Sequence, residues 1–167
     1  MIKTVNGRVF KYGDDVNTDV IFPGKYTYTV TDPTEMAKHA FEDLDPEFSS
    51  KATRGDIVVA GRNFGCGSSR EQAAICLVEL GIGAVIARSF ARIYFRNAIN
   101  CGLAVVACPE AVESVESGDT IEVDFGAGVV RAASAEFTFA PLPAEVQGIL
   151  AAGGLIEFTK ARLAKSC

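Results

Sequence analysis

The sequence is poor in groups that hold metals. Its 167 residues contain one histidine, His39, and five cysteines, at positions 66, 76, 101, 108 and 167, with no C-x-x-C pair among them. No ligand cluster has workable spacing, which argues against zinc or an iron–sulfur cluster held by this chain alone. The odd cysteine count argues against a disulfide framework and reads as reduced thiols in a cytoplasmic protein. His39 sits near the end of a charged amphipathic segment and receives no role.

Basic charge is also scarce. Sixteen Lys and Arg face 21 Asp and Glu, for a net charge of −5, which excludes a general nucleic-acid binder but leaves room for a local basic pocket that takes a small acid. No apolar stretch approaches the length of a membrane span. The first residues begin as a strand and do not form a signal peptide. The acidic run Asp14, Asp15, Asp19 lacks the register and terminal glutamate of a calcium loop. Internal repeats and low-complexity tracts are absent. What remains is a chain with 49% hydrophobic and 22% charged residues, enough apolar material for one folded domain over residues 1–167.

The most informative segment is Asn63-Phe-Gly-Cys-Gly-Ser-Ser-Arg-Glu71. It follows a buried strand at 56–61 and precedes a helix at 72–80. Gly65 and Gly67 let the backbone turn sharply there. Ser68, Ser69 and Arg70 then stand where unpaired N–H groups and a positive dipole end favour negative charge. The plainer reading is a capping box, with Ser68 as N-cap and Glu71 at the third helical position. Cys66 is a small half-buried residue with no local histidine to take its proton.

Further strands are expected at 7–11, 83–87 and 103–107, a polar aromatic loop at 26–32, a helix from Pro33 to about Leu44, and a linker at 45–51. A second helix spans 89–100, with Ser89 as its cap. Strand, helix, strand, helix, strand with short links implies parallel pairing. Residues 110–117 form a helical turn. The pattern then changes to an antiparallel meander over 119–125, 129–132 and 137–139, closed by helices at 143–152 and 155–163.

Four segments in this order resemble the small subunits of aconitase-type hydro-lyases, a group that includes isopropylmalate and homoaconitate dehydratases. They are Gly13-Asp-Asp-Val-Asn-Thr-Asp-Val-Ile-Phe-Pro-Gly-Lys-Tyr26, the strand at 55–61, the signature loop at 63–71 and Ser89-Phe-Ala-Arg-Ile-Tyr-Phe-Arg-Asn-Ala-Ile-Asn100. The resemblance implies an α/β swivelling β/β/α domain: a parallel strand–helix core, an antiparallel meander and C-terminal helices. It implies a separate subunit that caps a larger partner carrying a [4Fe–4S] cluster. It also implies a small di- or tricarboxylic acid substrate, with no nucleic acid or membrane partner.

By resemblance, Ser68 is the base that takes the proton from substrate carbon, and Ser69 and Arg70 grip a substrate carboxylate. Asp19 falls on an acidic position that faces the active site. Relatives that accept a third carboxylate carry arginine in a Tyr-Leu-Arg-Thr loop; here that loop reads Tyr26-Thr-Tyr-Thr29, and Tyr28 replaces the arginine. Tyr28 suits an apolar arm, so the expected substrate is an alkyl malate such as 3-isopropylmalate, with homoaconitate or dimethylmalate as alternatives. On the plainer reading Tyr28 packs elsewhere and Lys25 meets the carboxylate. A non-catalytic anion-binding or regulatory subunit is the alternative of another class. A dinucleotide site fits poorly, because Arg70 occupies the third glycine position and Arg88, not an acid, follows the next strand.

Overall fold

The computed structural model describes residues 4–166. The expected strand start at residues 1–3 lies outside them, as does Cys167. Seven strands, β1 (Val5–Lys11), β2 (Ile57–Ala60), β3 (Ala84–Ala87), β4 (Val105–Ala107), β5 (Thr120–Asp124), β6 (Val129–Ala132) and β7 (Ala135–Thr138), make one sheet in the order β4-β3-β2-β1-β5-β6-β7. β1 through β4 are mutually parallel, with Val9 opposite Ile57 and Val58 opposite Val85. On its other edge β1 runs antiparallel to β5, and β6 and β7 continue the meander. The first strand therefore joins the parallel half to the antiparallel half. Gly7 makes this close pairing feasible, since a Cβ there would lie 2.0 Å from the Gly55 carbonyl oxygen.

The parallel strands are apolar on both faces, as expected for a sheet covered on two sides. Val58, Ala60, Val85 and Ala87 face one core with Phe22, Phe41, Phe48, Leu77 and Tyr94. Ile57, Val59, Ala84 and Ile86 face the other with Val123, Phe125 and Val130. The helices are α1 (Thr18–Ile21), α2 (Pro33–Lys38), α3 (Phe48–Lys51), α4 (Gln72–Leu80), α5 (Arg92–Asn100), α6 (Pro109–Ser114), α7 (Ala144–Ala151) and α8 (Leu155–Lys165), with a 3₁₀ turn at Gly24–Tyr26. No helix among the described residues is long and apolar enough to cross a membrane.

Two expected elements differ. The helix from Pro33 stops at Lys38 instead of near Leu44. Phe41 takes a left-handed φ of 56°, and its N–H donates to the Ile21 carbonyl at 2.9 Å. That geometry drives its fully buried ring between Tyr12 and Phe48, and burial of one aromatic outweighs a continued helical turn. The segment expected as a linker contains α3, because Phe48 is wholly buried there.

Candidate active site

Three of the quoted motifs follow the C-terminal ends of three neighbouring parallel strands. The acidic motif follows β1, the signature loop follows β2, and Ser89-Phe90-Ala91 follows β3. Parallel strands deliver such ends to one edge of the sheet, where α/β proteins bind their ligands. Backbone hydrogen bonds then stitch the loops together. Gly65 N–H donates to the Val16 carbonyl at 2.7 Å, and Thr18 N–H donates to the Cys66 carbonyl at 2.9 Å. On the other side, Phe64 N–H donates to Ser89 and Ala91 N–H donates to Phe64.

Strain concentrates in the same place. Asn63, Gly65 and Gly67 all have φ between 59° and 92°. At Gly65 the space is filled from below, since a Cβ would fall 2.1 Å from Cγ of Tyr94. Tyr94 is 2% exposed and its hydroxyl donates to the Ala73 carbonyl at 3.0 Å. This ring is a wedge that fixes the height of the loop against α4.

Two expected caps are not made. Glu71 is the residue before α4, and no side chain caps that helix. An N-cap carbonyl must turn into the helix to accept its first bond. The Ser68 carbonyl is instead taken by the Thr18 hydroxyl at 2.9 Å, and the helix begins only after Glu71. Ser89 likewise does not cap α5, which starts after Ala91. Its hydroxyl accepts from Asn63 N–H at 2.8 Å, so it braces the signature loop. The N–H groups of residues 67–72 consequently have no acceptor among the described residues. The positive end of the site is thus the loop itself, ahead of the helix.

These residues line a cleft of about 290 Å³ that includes Thr18, Ser68, Ser69, Arg70, Arg92 and Asn97. Ser68 and Ser69 are exposed. The Ser68 hydroxyl has no hydrogen-bond partner among the described residues, while Ser69 Oγ accepts from Asn97 Nδ2 at 3.4 Å. Arg70 is mostly buried and forms an ion pair with Asp19. Its Nη1 is enclosed beside that carboxylate without a well-aligned hydrogen bond. Gly24 makes room for the pair, because a Cβ there would lie 2.7 Å from Asp19 Oδ1 and 2.8 Å from Arg70 Nη1.

Arg92 and Asn97 escaped the sequence reading. Both lie in the quoted 89–100 segment, and the signal available was their spacing from Ser89 on a helix that faces the loop. Tyr28 is not brought into the cleft; it is 94% exposed at the tip of its loop. Lys25 pairs with Asp43 at 3.7 Å and covers the Tyr26 ring at 5.1 Å. His39, given no role, stacks on Tyr26 at 3.9 Å and contacts Glu42 through Nδ1 at 3.0 Å. The base of the Tyr28 loop is therefore firmly anchored.

Burial pushes the Cys101 thiol up to about 11, with the Glu71 charge adding to the shift. It also raises the thiols of Cys76 and Cys108. Thiols held protonated are poor ligands and nucleophiles. Among the described residues no group of three or more His, Cys, Asp or Glu comes together to hold a metal.

The sequence of the Aconitase C-terminal domain family matches residues 14–111. The chain is 53% identical to the 3-isopropylmalate dehydratase small subunit of Caldicellulosiruptor saccharolyticus, over 95% of this chain and 92% of that one. It is 51% identical to the 2,3-dimethylmalate dehydratase small subunit of Eubacterium barkeri, over 93% and 96% of the two chains. The crystal structure of 3-isopropylmalate dehydratase from Methanocaldococcus jannaschii superposes with a TM-score of 0.91 at 43% identity, covering 98% of each chain. With its motifs gathered at one sheet edge and its relatives matching over nearly their whole length, the chain belongs to the aconitase C-terminal domain family, alongside the small subunits of 3-isopropylmalate dehydratase.

Proposed function

We propose that this chain is the small subunit of a heteromeric, cytoplasmic hydro-lyase that interconverts 2-isopropylmalate and 3-isopropylmalate by dehydration and rehydration. The observation that carries this reading is the cleft around Ser68: a free serine hydroxyl, the N–H groups of residues 67–70 without acceptors among the described residues and two arginines, open on one side. Ser68 removes the proton from substrate carbon. The C–H electron pair forms the double bond as hydroxide leaves the neighbouring carbon, and Ser68 returns the proton when water adds back. A serine alkoxide is far too basic to persist unaided. Here the loop N–H groups, Arg70 and Arg92 lower its energy, as donors aimed at developing charge do in other enzymes. Ser69 and Arg70 bind a substrate carboxylate, and Asp19 holds Arg70 in place until the substrate arrives. The [4Fe–4S] cluster belongs to the large partner, and this chain contributes no ligand to it.

The test is reconstitution. The purified chain alone is expected to be colourless and inactive, and the complex with its large subunit to turn over 3-isopropylmalate. Dehydration of a malate derivative by the chain alone, or an inactive complex, would sink the reading. A second reading, a dehydratase for another alkyl malate, is favoured by the 51% identity to the dimethylmalate enzyme subunit, and a panel of substituted malates separates the two.

Tyr28 is proposed to set the substrate arm once the partner closes the cleft. Its loop starts at Gly24, directly against the Asp19–Arg70 pair, so the tip is within a few residues of the carboxylate site. A carboxylate placed against a tyrosine ring loses water without a cation in return, whereas an alkyl arm gains roughly 0.8 kcal/mol per buried methylene. The complex is expected to prefer 3-isopropylmalate over homoaconitate by more than tenfold in kcat/KM, and Tyr28→Arg to narrow or invert that ratio. An unchanged ratio in the variant would place specificity elsewhere.

A further inference from the structure

The cleft does not end at Arg92. That side chain also lines a second, shallower groove of about 400 Å³ on the outer side of α5, where Phe90, Phe95 and Ala107 form the floor and Arg88, Arg92 and Arg96 form the rim. Arg88 is paired with Glu113 at 2.6 Å. Arg92 and Arg96 have no ion-pair partner among the described residues. They stand at i and i+4 on one helix face, where like charges repel. Ile93, between them in sequence, is 54% exposed and lines the cleft mouth. A chain with five more acids than bases thus leaves two guanidinium groups and several apolar side chains uncovered at one place, contiguous with the open side of its reactive cleft.

We propose that this α5 groove is the dock for the large subunit, and that the surface covering it is an apolar lip edged with carboxylates. The proposal rests on the small-subunit reading above. Continuity is the argument for this occupant. A partner that completes the cleft must cross the rim at Arg92, and the next surface it meets is the groove. Charge complementarity fixes its chemistry, because the unpaired arginines at the rim are matched by acids and the phenylalanine floor by apolar side chains. Aromatic and arginine side chains are the types most enriched where interfaces carry their energy.

The test uses the whole chain and its large subunit. Arg96 lines the groove but not the cleft, so Arg96→Glu leaves the chemistry alone. Small subunit is titrated into a fixed amount of large subunit, and the half-saturating concentration is read from activity at low and moderate salt. Arg96→Glu is expected to raise that concentration at least tenfold with kcat at saturation unchanged, and to flatten its salt dependence. Arg54→Glu makes the same charge change on an exposed residue just before β2, at the opposite end of the parallel strands, and is expected to have no effect. If Arg96→Glu associates no worse than Arg54→Glu while the wild type assembles normally, the dock is elsewhere. If the isolated chain is a dimer that Arg96→Glu makes monomeric, a second copy is the occupant and the proposal fails. If wild type forms no active complex, the small-subunit reading falls together with it.

Discussion

Ser68→Ala in the reconstituted complex is expected to lower kcat by at least ~10³-fold while leaving the fold untouched. The two halves of that expectation come from different observations. The loss in rate follows from the role proposed for the hydroxyl, which lines one cleft with Arg70, Arg92 and a loop whose N–H groups lack acceptors among the described residues. The intact fold follows from what the hydroxyl does not do. It caps no helix, since Glu71 precedes α4, and its own residue is fixed through the carbonyl by Thr18. Removing an exposed, unbonded hydroxyl typically changes stability by no more than ~0.5 kcal/mol. Steady-state kinetics and thermal unfolding of the same variant therefore separate the roles. Near-normal turnover would strip Ser68 of its chemistry, and a large fall in Tm would mean that the serine is structural after all.

Gly65→Ala is expected to do the reverse and damage the fold itself. Two costs add at this position. The φ of 82° lies in the left-handed region, where a Cβ costs about 1–2 kcal/mol. The new methyl would also fall 2.1, 2.4 and 2.6 Å from Cγ, Cβ and Cδ1 of Tyr94. Tyr94 cannot easily withdraw. It is enclosed, packs edge-on against Phe64 at 5.3 Å and is tied to Ala73 through its hydroxyl. Overpacking a core of this kind adds roughly 1–3 kcal/mol. A total of about 2–5 kcal/mol corresponds to a Tm lower by roughly 4–20 °C for a domain of this size. Circular dichroism melts of the isolated chain measure it directly. A fall of less than about 3 °C would show that the loop can lift away from Tyr94, and that the wedge is not what holds Ser68 in place.

Gly65→Ala also shows why the site was only partly legible in the sequence. The glycines at 65 and 67 could be read as a turn from local chemistry alone, because only glycine reaches such φ values cheaply. That Gly65 is pressed on by Tyr94, 29 positions later, is a contact no local pattern records. The caps are a similar case. Ser68 and Ser89 each sit where a cap belongs by spacing, and each is diverted by a partner distant in sequence: Thr18 in one case, Asn63 in the other. Capping preference amounts to about 1 kcal/mol, small enough for a tertiary hydrogen bond to override.

Family resemblance marked Ser68, Ser69, Arg70 and Asp19 as candidate site residues, and the pattern of the sequence by itself determined the parallel core at 56–107 and the meander after 119. These are local properties of apolar period, turn residues and motif spacing. Tertiary structure alone decided that β1 lies parallel to β2 and antiparallel to β5, which brings the acidic motif to the same sheet edge as the signature loop. It alone paired Asp19 with Arg70, added Arg92 and Asn97 to the cleft, and left Tyr28 in solvent. Strand pairing and side-chain neighbours across tens of residues depend on which surfaces bury one another, and that free energy is a property of the packed whole.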